Sequence, residues 1–485
     1  MYLGLDIGTS SVKAVLIDDA QAIVASETAP LEVSRPRTGW SEQNPDDWWT
    51  TCEAVLDKLA RDHGKHVSAV KGIGLSGHMH GATLLDASDK PLRSCILWND
   101  VRSADEAAAL DRDPQFRKLT GNIVFPGFTA PKLVWVAKHE PEIFTKVAKV
   151  LLPKDYVRLK LTGEHVSEMS DSAGTSWLDV AKRDWSDELL AATKLSRNQM
   201  PRLTEGSAPA SELRAELAKR WGMTGSVVVA GGGGDNAASA CGVGVVRPGT
   251  AFVSLGTSGV LFVSNARFSP APATAVHAFC HAVPNTWHQM GVILSAAGAL
   301  EWLADMFGVG AADLTRPLEN DRNGPGAAMF LPYIGGERTP HNDANVRGSF
   351  VGLSYATDRN ELTRAVLEGV AFAFADNLAA LRKAGATVTR ALAVGGGSRS
   401  RKWLQIIANT LGIAIDVPAE GDFGAGLGAA RLGMIAATGA DPFAICTQPE
   451  IRETIEPDAD AVPEYAAAYA TYKNLYPAIK EAMPR

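Results

Sequence analysis

The chain has 485 residues, 46% of them hydrophobic and 21% charged, with a formal net charge of −7. That length exceeds what one hydrophobic core supports, so two large halves are expected, and the composition excludes disordered and fibrous classes. The acidic balance and the lack of a long basic tract argue against a nucleic-acid partner, so any phosphate binding has to be local.

Residues 2–7 and 12–17 read as apolar strands joined by Gly8-Thr9-Ser10-Ser11, and 23–28 continues the meander. A Gly-Thr-Ser turn offers backbone N–H groups and two hydroxyls to an anion. Gly8, Thr9 and Ser10 are therefore candidate nucleotide-phosphate ligands. Lys13 can reach the same phosphate or be a solvated surface charge. Asp6 ends the first strand, where a carboxylate needs a cation or donor; a nucleotide-bound Mg²⁺, held directly or through water, supplies one. Capping of its own turn is the alternative role for Asp6.

Residues 45–63 carry apolar side chains at helical spacing behind the cap Asn44 and Pro45. A buried strand at 70–76 then runs into Gly77-His78-Met79-His80-Gly81, and such strand ends are where α/β proteins place ligands. His78, Met79 and His80 have no further ligand at suitable spacing for zinc, and methionine suits hard ions poorly. A contact from His80 to a sugar hydroxyl, with Met79 packed alongside, competes with simple core packing. Trp98 offers an apolar face to a carbohydrate or fills the core. Short strands at 84–86 and 96–99, a helix at 132–138, and a strand and capped helix within 149–161 follow.

The apolar run Val227-Val228-Val229-Ala230 feeds four glycines, then Asp235 and Asn236, then a small-residue helix over 237–244. Glycines let a ligand or the opposite half approach the backbone. A carboxylate at that corner can accept a proton from a substrate hydroxyl, the general-base role in phosphoryl transfer; an N-cap without chemistry is the alternative. The first half closes near 246–249, giving expected units 1–246 and 247–485.

The second half restarts with a hairpin over 251–263 whose turn, Leu255-Gly256-Thr257-Ser258-Gly259, repeats the first with Ser254 in place of Asp6. Two such turns predict a duplicated fold that grips polyphosphate from both sides, through Gly256 and Thr257 on this side. Strands are expected within 277–290. The apolar window 290–310 holds Glu301 and Asp305 on one helical face, which favours a buried or amphipathic helix over a membrane span. After a loop-rich tract at 331–341 come a long amphipathic helix at 360–384, a strand at 391–394, and the turn Gly395-Gly396-Gly397-Ser398. That turn either lets a nucleoside rest on backbone or is an ordinary strand-to-helix connection. A helix to 411, a strand at 413–417, a Gly/Ala helix at 424–437 and a surface helix at 463–485 complete the reading. The five cysteines are scattered without a CxxC pair, which predicts a reducing, cytoplasmic setting, and no signal peptide is read after Met1.

Taken together these segments resemble the FGGY family of carbohydrate kinases over nearly the whole chain. Gly127-Phe128-Thr129-Ala130-Pro131-Lys132-Leu133-Val134-Trp135 is similar to one long family signature. Gly348-Ser349-Phe350-Val351-Gly352-Leu353, continuing to Glu361-Leu362 and Ala365-Val366-Leu367-Glu368, is similar to the other. Trp40-Ser41-Glu42-Gln43, Met79-His80-Gly81-Ala82, Trp98-Asn99-Asp100, Leu152-Pro153-Lys154-Asp155-Tyr156, Gly234-Asp235-Asn236-Ala237 and Gly336-Glu337-Arg338-Thr339-Pro340-His341-Asn342 resemble the subgroup acting on a ketopentose. The resemblance implies an α/β fold of two duplicated actin-like (ribonuclease H-like) domains of the ASKHA superfamily around a central cleft. It implies D-xylulose phosphorylated by ATP with Mg²⁺, Asp235 as base, and Asp6 near the metal and phosphates. It further implies Met79, His80, Asp235 and Asn236 at the sugar, Gly395, Gly396 and Gly397 near the adenosine, and a homodimer. A kinase for another ketose or polyol (ribulose, fuculose, glycerol), or an actin-like ATPase or sugar sensor, are the competing functions.

Overall fold

The computed structural model describes residues 1–321, 324–419 and 424–483. Two seven-stranded mixed sheets organise them. The first contains β1 (Tyr2–Ile7), β2 (Ser11–Ile17), β3 (Ile23–Pro30), β4 (Gly72–Gly77), β5 (Pro209–Glu212), β6 (Val228–Ala230) and β7 (Gly233–Gly234). Its order is β5-β6-β4-β1-β2-β3, with β7 also paired to β4. The second contains β8 (Ala251–Leu255), β9 (Gly259–Asn265), β10 (His277–Cys280), β11 (Trp287–Ile293), β12 (Arg390–Val394), β13 (Ala414–Pro418) and β14 (Ile451–Ile455), in the order β10-β11-β9-β8-β12-β13-β14.

The two sheets repeat one another. In each, a hairpin opens the unit (β1–β2, β8–β9), its outer strand adds an antiparallel neighbour (β3, β11), and its first strand adds parallel partners on the other side (β4 then β6; β12 then β13). An antiparallel edge strand, β5 or β14, closes each far side. The core strands β1 and β4 are buried along almost their whole length, as parallel pairing with both faces covered requires.

Helix α1 (Pro45–Asp62), capped by the Asn44 side chain, lays Trp48, Cys52, Val55, Leu56 and Leu59 on the first sheet. Further on are α2 (Thr129–His139), α3 (Pro153–Thr162), α4 (Asp235–Gly242), α5 (Ala297–Phe307), α6 (Arg359–Lys383), α7 (Arg401–Leu411), α8 (Ala425–Thr438), α9 (Ala461–Tyr472) and α10 (Leu475–Ala482).

Three expectations change. Helix α6 is not amphipathic: residues 363–378 are all buried, because the second sheet covers one side while α7, α9 and the strand Met329–Leu331 cover the other. The apolar window at 290–310 splits, its start completing β11 and its remainder forming α5 with Glu301 and Asp305 exposed. Among the described residues no helix is long and apolar enough to cross a membrane. The expected single surface helix at 463–485 is two helices, and Tyr465 and Tyr472 are buried against α6; residues 484 and 485 lie outside the described residues.

The halves also exchange helices. α8, late in the chain, packs on the first sheet, so closely that a Cβ on Gly4 or Gly74 would overlap its carbonyls at Gly426 and Ala429. α4, from the first half, turns Ala240 toward Phe252, Phe262 and Leu392 of the second sheet. The two helices cross in backbone contact, since a Cβ on Gly428 would overlap the carbonyl of Ala238. Only glycine permits that approach. Arg431 of α8 then donates to the carbonyls of Cys241 and Gly242 (2.8 and 2.9 Å) at the end of α4, a favourable place for a cation.

Candidate active site

The carboxyl ends of β1 and β4 and the short strand β7 lie in register, with Asp6 beside Ser76 and Ser76 beside Gly233. Asp235 follows two residues beyond Gly233, at the first turn of α4. Its Oδ1 accepts from the backbone N–H of Asn236 (2.7 Å) and from the Asn236 side-chain amide (2.9 Å). Burial pushes its pKa up to about 6, and the nearby charge of Asp6 adds to the rise. Asp6 is itself raised by burial, opposed by the neighbouring Ser76 hydroxyl and by Lys13. Lys13 faces Asp6 across the hairpin, on the same side of the sheet.

The corner is held from behind by a fully buried ionic cluster. Lys154 lies 2.9 Å from both Asp155 and Asp171 and 3.5 Å from Glu168, and Arg158 pairs with Asp155 at 2.7 Å. Arg158 also donates to the carbonyl of Gly231, and Ser170 Oγ accepts from the Gly234 N–H (3.0 Å). The glycine corner is therefore fixed although glycine alone favours no conformation. Nothing in the periodicity of 149–172 signals this arrangement.

On one side of Asp235 lies a cavity of about 710 Å³ lined by Asn236, Ser239, Phe252, Ser254, Val394, Gly395, Arg399 and Pro418, among others. Gly395 has φ +89°, and a Cβ there would meet the Leu255 carbonyl at 2.9 Å, so the triple-glycine turn rests directly on the second Gly-Thr-Ser turn. Gly396 is open, while a Cβ on Gly397 would press on Leu255 and Trp403. In that second turn, the carbonyls of Gly256 and Thr257 accept from Ala297 and Ala296 (both 2.8 Å) at the start of α5, with the Thr257 side chain exposed. In the first turn, Gly8 N–H donates to Ser11 (2.9 Å), Ser10 is exposed, and Thr9 Oγ1 accepts from the indole of Trp98 (3.0 Å). Trp98 is 42% exposed, so it stands at the cleft rather than in the core and is tied to the first turn.

On the other side, Met79 packs against the corner, its Sδ 3.0 Å from where a Gly234 Cβ would be. His80 holds a left-handed backbone (φ +70°), a strained state for a non-glycine residue. Its ring stacks on Phe128 with centroids 4.5 Å apart, and its carbonyl accepts from Lys132 Nζ (2.9 Å) and Thr129 Oγ1 (3.2 Å). Burial pushes the His80 pKa down to about 3, so the ring is neutral. Because Nδ1 lies 2.7 Å from the Gly174 carbonyl, it must carry the proton, leaving Nε2 an acceptor for a hydroxyl. His78 is instead core: both ring nitrogens are buried without partners, and the ring packs edge-on to Trp48. Among the described residues no group of three or more His, Cys, Asp or Glu forms a metal cluster.

Lys132, Phe125, Phe128, His277 and Phe279 complete the wall around His80; Phe128 and Lys132 lie within the first family signature, whereas Phe125, His277 and Phe279 carry no sequence signal of their own as site residues. His277 and Phe279 come from β10 of the second half and stack at 5.3 Å. Buried Lys132, its pKa pushed down to about 7 by desolvation, locks the strained His80 peptide in place. Asn236, expected at the sugar, lines the cavity of about 710 Å³ together with Ser254 and Gly395.

Models of the FGGY family of carbohydrate kinases match this chain twice, the N-terminal domain over residues 1–242 and the C-terminal domain over residues 251–437. The chain is 48% identical to a xylulose kinase of Escherichia coli strain K12 over 98% of both sequences. A crystal structure from Brucella ovis, named a xyloylose kinase, superposes with TM-score 0.98 at 62% identity, covering 99% of this chain and 100% of that one. A xylulose kinase structure from Rhodospirillum rubrum superposes with TM-score 0.92 at 30% identity, covering 99% of each.

Proposed function

The chain belongs to the FGGY family of carbohydrate kinases, with that family's duplicated actin-like fold, and on that premise we infer that it transfers the γ-phosphoryl group of ATP to the 5-hydroxyl of D-xylulose. The observation that carries the mechanism is the position of Asp235. This carboxylate adjoins Asn236, which lines the cavity of about 710 Å³, and follows Gly234, against which Met79 packs, while the charge of Asp6 is felt at it.

A sugar seated against Met79 and His80 brings its terminal hydroxyl to Asp235, whose Oδ1 is occupied by Asn236, leaving Oδ2 to accept the hydroxyl hydrogen. With its pKa near 6, Asp235 is mostly ionised at neutral pH yet basic enough to take a proton. A sugar hydroxyl is a weak acid, so the proton leaves late, and the early service of Asp235 is to aim the oxygen in line with the γ-phosphorus. His80, neutral, accepts from another hydroxyl. Gly8, Thr9, Ser10 and Lys13 from one side, and Gly256 and Thr257 from the other, receive the phosphates, with the adenosine over Gly395, Gly396 and Gly397.

Asp6, a carboxylate whose charged form is disfavoured by burial, suits a Mg²⁺ ion held directly or through water. With one protein carboxylate such an ion would draw its remaining ligands from water and the nucleotide. When bound it neutralises charge on the phosphates. Residues 1–246 then serve sugar and base and 247–485 the nucleotide. The five buried free cysteines suit a reducing cytoplasm, and a homodimer is the assembly we infer.

Incubation with D-xylulose, ATP and Mg²⁺ should give ADP and a 5-phosphorylated ketopentose, identified by phosphorus NMR, faster than with ribulose, fuculose or glycerol. The proposal fails if ADP release is independent of the sugar or if another sugar is clearly preferred.

A further inference from the structure

Arg338 belongs to the second half, on the stretch between the strand Met329–Leu331 and α6, yet its guanidinium lies 4.8 Å over the ring of Phe125 of the first half. The backbone around it is anchored. Glu337 exchanges backbone hydrogen bonds with Asp343 (2.8 Å each way), the Glu337 carboxylate accepts from Leu294 N–H (3.1 Å), and Thr339 bonds to both Val292 and Ala275. This anchoring presents the side chain rigidly rather than on a free loop.

Among the described residues Arg338 forms no ion pair, and its one side-chain hydrogen bond is a long one of 3.5 Å to Nε2 of His277. A guanidinium has five N–H donors, and those of half-buried Arg338 are mostly unspent on protein acceptors, the counter-charge it feels being that of its neighbour Glu337. They point to an absent oxygen-rich partner. The ring contacts show where it lies: Phe125 packs on Phe128 (5.4 Å), Phe128 stacks on His80 (4.5 Å), and His277 reaches Phe128 (5.8 Å). Through this chain of rings Arg338 stands beside His277 and within reach of the His80 wall, and its charge is felt at His80.

We propose that Arg338 is a sugar-binding residue supplied by the second half, donating to the end of the sugar opposite the hydroxyl that is phosphorylated. In a 2-ketopentose those acceptors are the C2 carbonyl and the C1 hydroxyl, so Arg338 selects a ketose over the corresponding polyol and ties sugar binding to contact between the halves. The inference rests on the kinase reading above and adds to it a residue from the opposite side of the cleft.

The test is steady-state kinetics of wild type, R338M and R338K with D-xylulose and xylitol, alongside thermal melts. R338M should raise KM for D-xylulose by about 10- to 100-fold, the loss of charge-assisted hydrogen bonds, with KM for ATP within about twofold of wild type. Its preference for D-xylulose over xylitol should shrink by a similar factor. R338K, which keeps the charge but not the planar fork, should recover part of the loss; should R338M melt out, R338K decides, with about a fivefold rise expected. Wild-type sugar KM in the folded variants, or an equal rise in ATP KM, overturns the role of Arg338. A wild type inactive on D-xylulose overturns the kinase reading itself, which separates the two failures.

Discussion

Replacing Asp235 by Asn should remove most turnover and, in the same molecule, make the ligand-free protein more stable. The Asp235 carboxyl is displaced from an ordinary 3.8 to about 6, first by burial and then by Asp6, and each pKa unit is worth about 1.4 kcal/mol. The ionised side chain thus costs the native state about 3 kcal/mol, and screening by water in the open cleft reduces the expected gain to about 1–3 kcal/mol. The sign follows from the raised folded-state pKa. The native protein holds this proton more tightly than the unfolded chain, so stability falls as pH rises from about 4 to about 6, and the whole cost is present above that. Asparagine is neutral throughout and keeps an oxygen for the Asn236 N–H. Unfolding of wild type and D235N in metal-free buffer at pH 4 and pH 7.5 should show a gain of about 2–10 °C in Tm at the higher pH that vanishes at the lower. Coupled ADP release should fall about a hundred- to ten-thousand-fold. Turnover within tenfold of wild type would refute the base. A stability difference of the same size at both pH values would refute the electrostatic reasoning.

The helix crossing between the halves gives a second test. Gly428→Ala puts a methyl into the carbonyl of Ala238 and 2.8 Å from the Gly242 nitrogen, atoms of backbone that cannot swing aside. Overpacking of this kind costs about 1–3 kcal/mol or more, so Tm should drop by roughly 2–10 °C and activity should fall with it; an unchanged melt would contradict the backbone contact. Trp98→Phe removes the indole donor to Thr9 Oγ1, and KM for ATP should rise by about three- to tenfold, the value of one hydrogen bond, as read from ATP titrations at saturating sugar. Finally, if sugar completes the site from both halves, ADP release without sugar should be slower by at least about a hundredfold, measured in the same coupled assay.

The sequence alone specified the duplicated hairpins, because a Gly-Thr-Ser turn between alternating apolar runs is a local pattern with a local cause. The glycine-flanked Asp235 corner was legible for the same reason: strand, flexible turn and small-residue helix are contiguous. Family resemblance added roles for Met79, His80 and Asp6 that spacing left open. Helix α6 misled, since its period indicates which residues are apolar but not how many neighbours will cover the remaining faces. What only the tertiary structure decided are meetings between distant segments: α8 on the first sheet, α4 against the second, Lys154 and its carboxylates behind the corner, and Arg338 over Phe125. Such contacts depend on how packed surfaces meet in space, from Lys154 and Asp171 seventeen residues apart to Arg338 and Phe125 more than two hundred apart. Their physical requirements, a missing Cβ here or an unspent guanidinium there, leave no periodic trace along the chain.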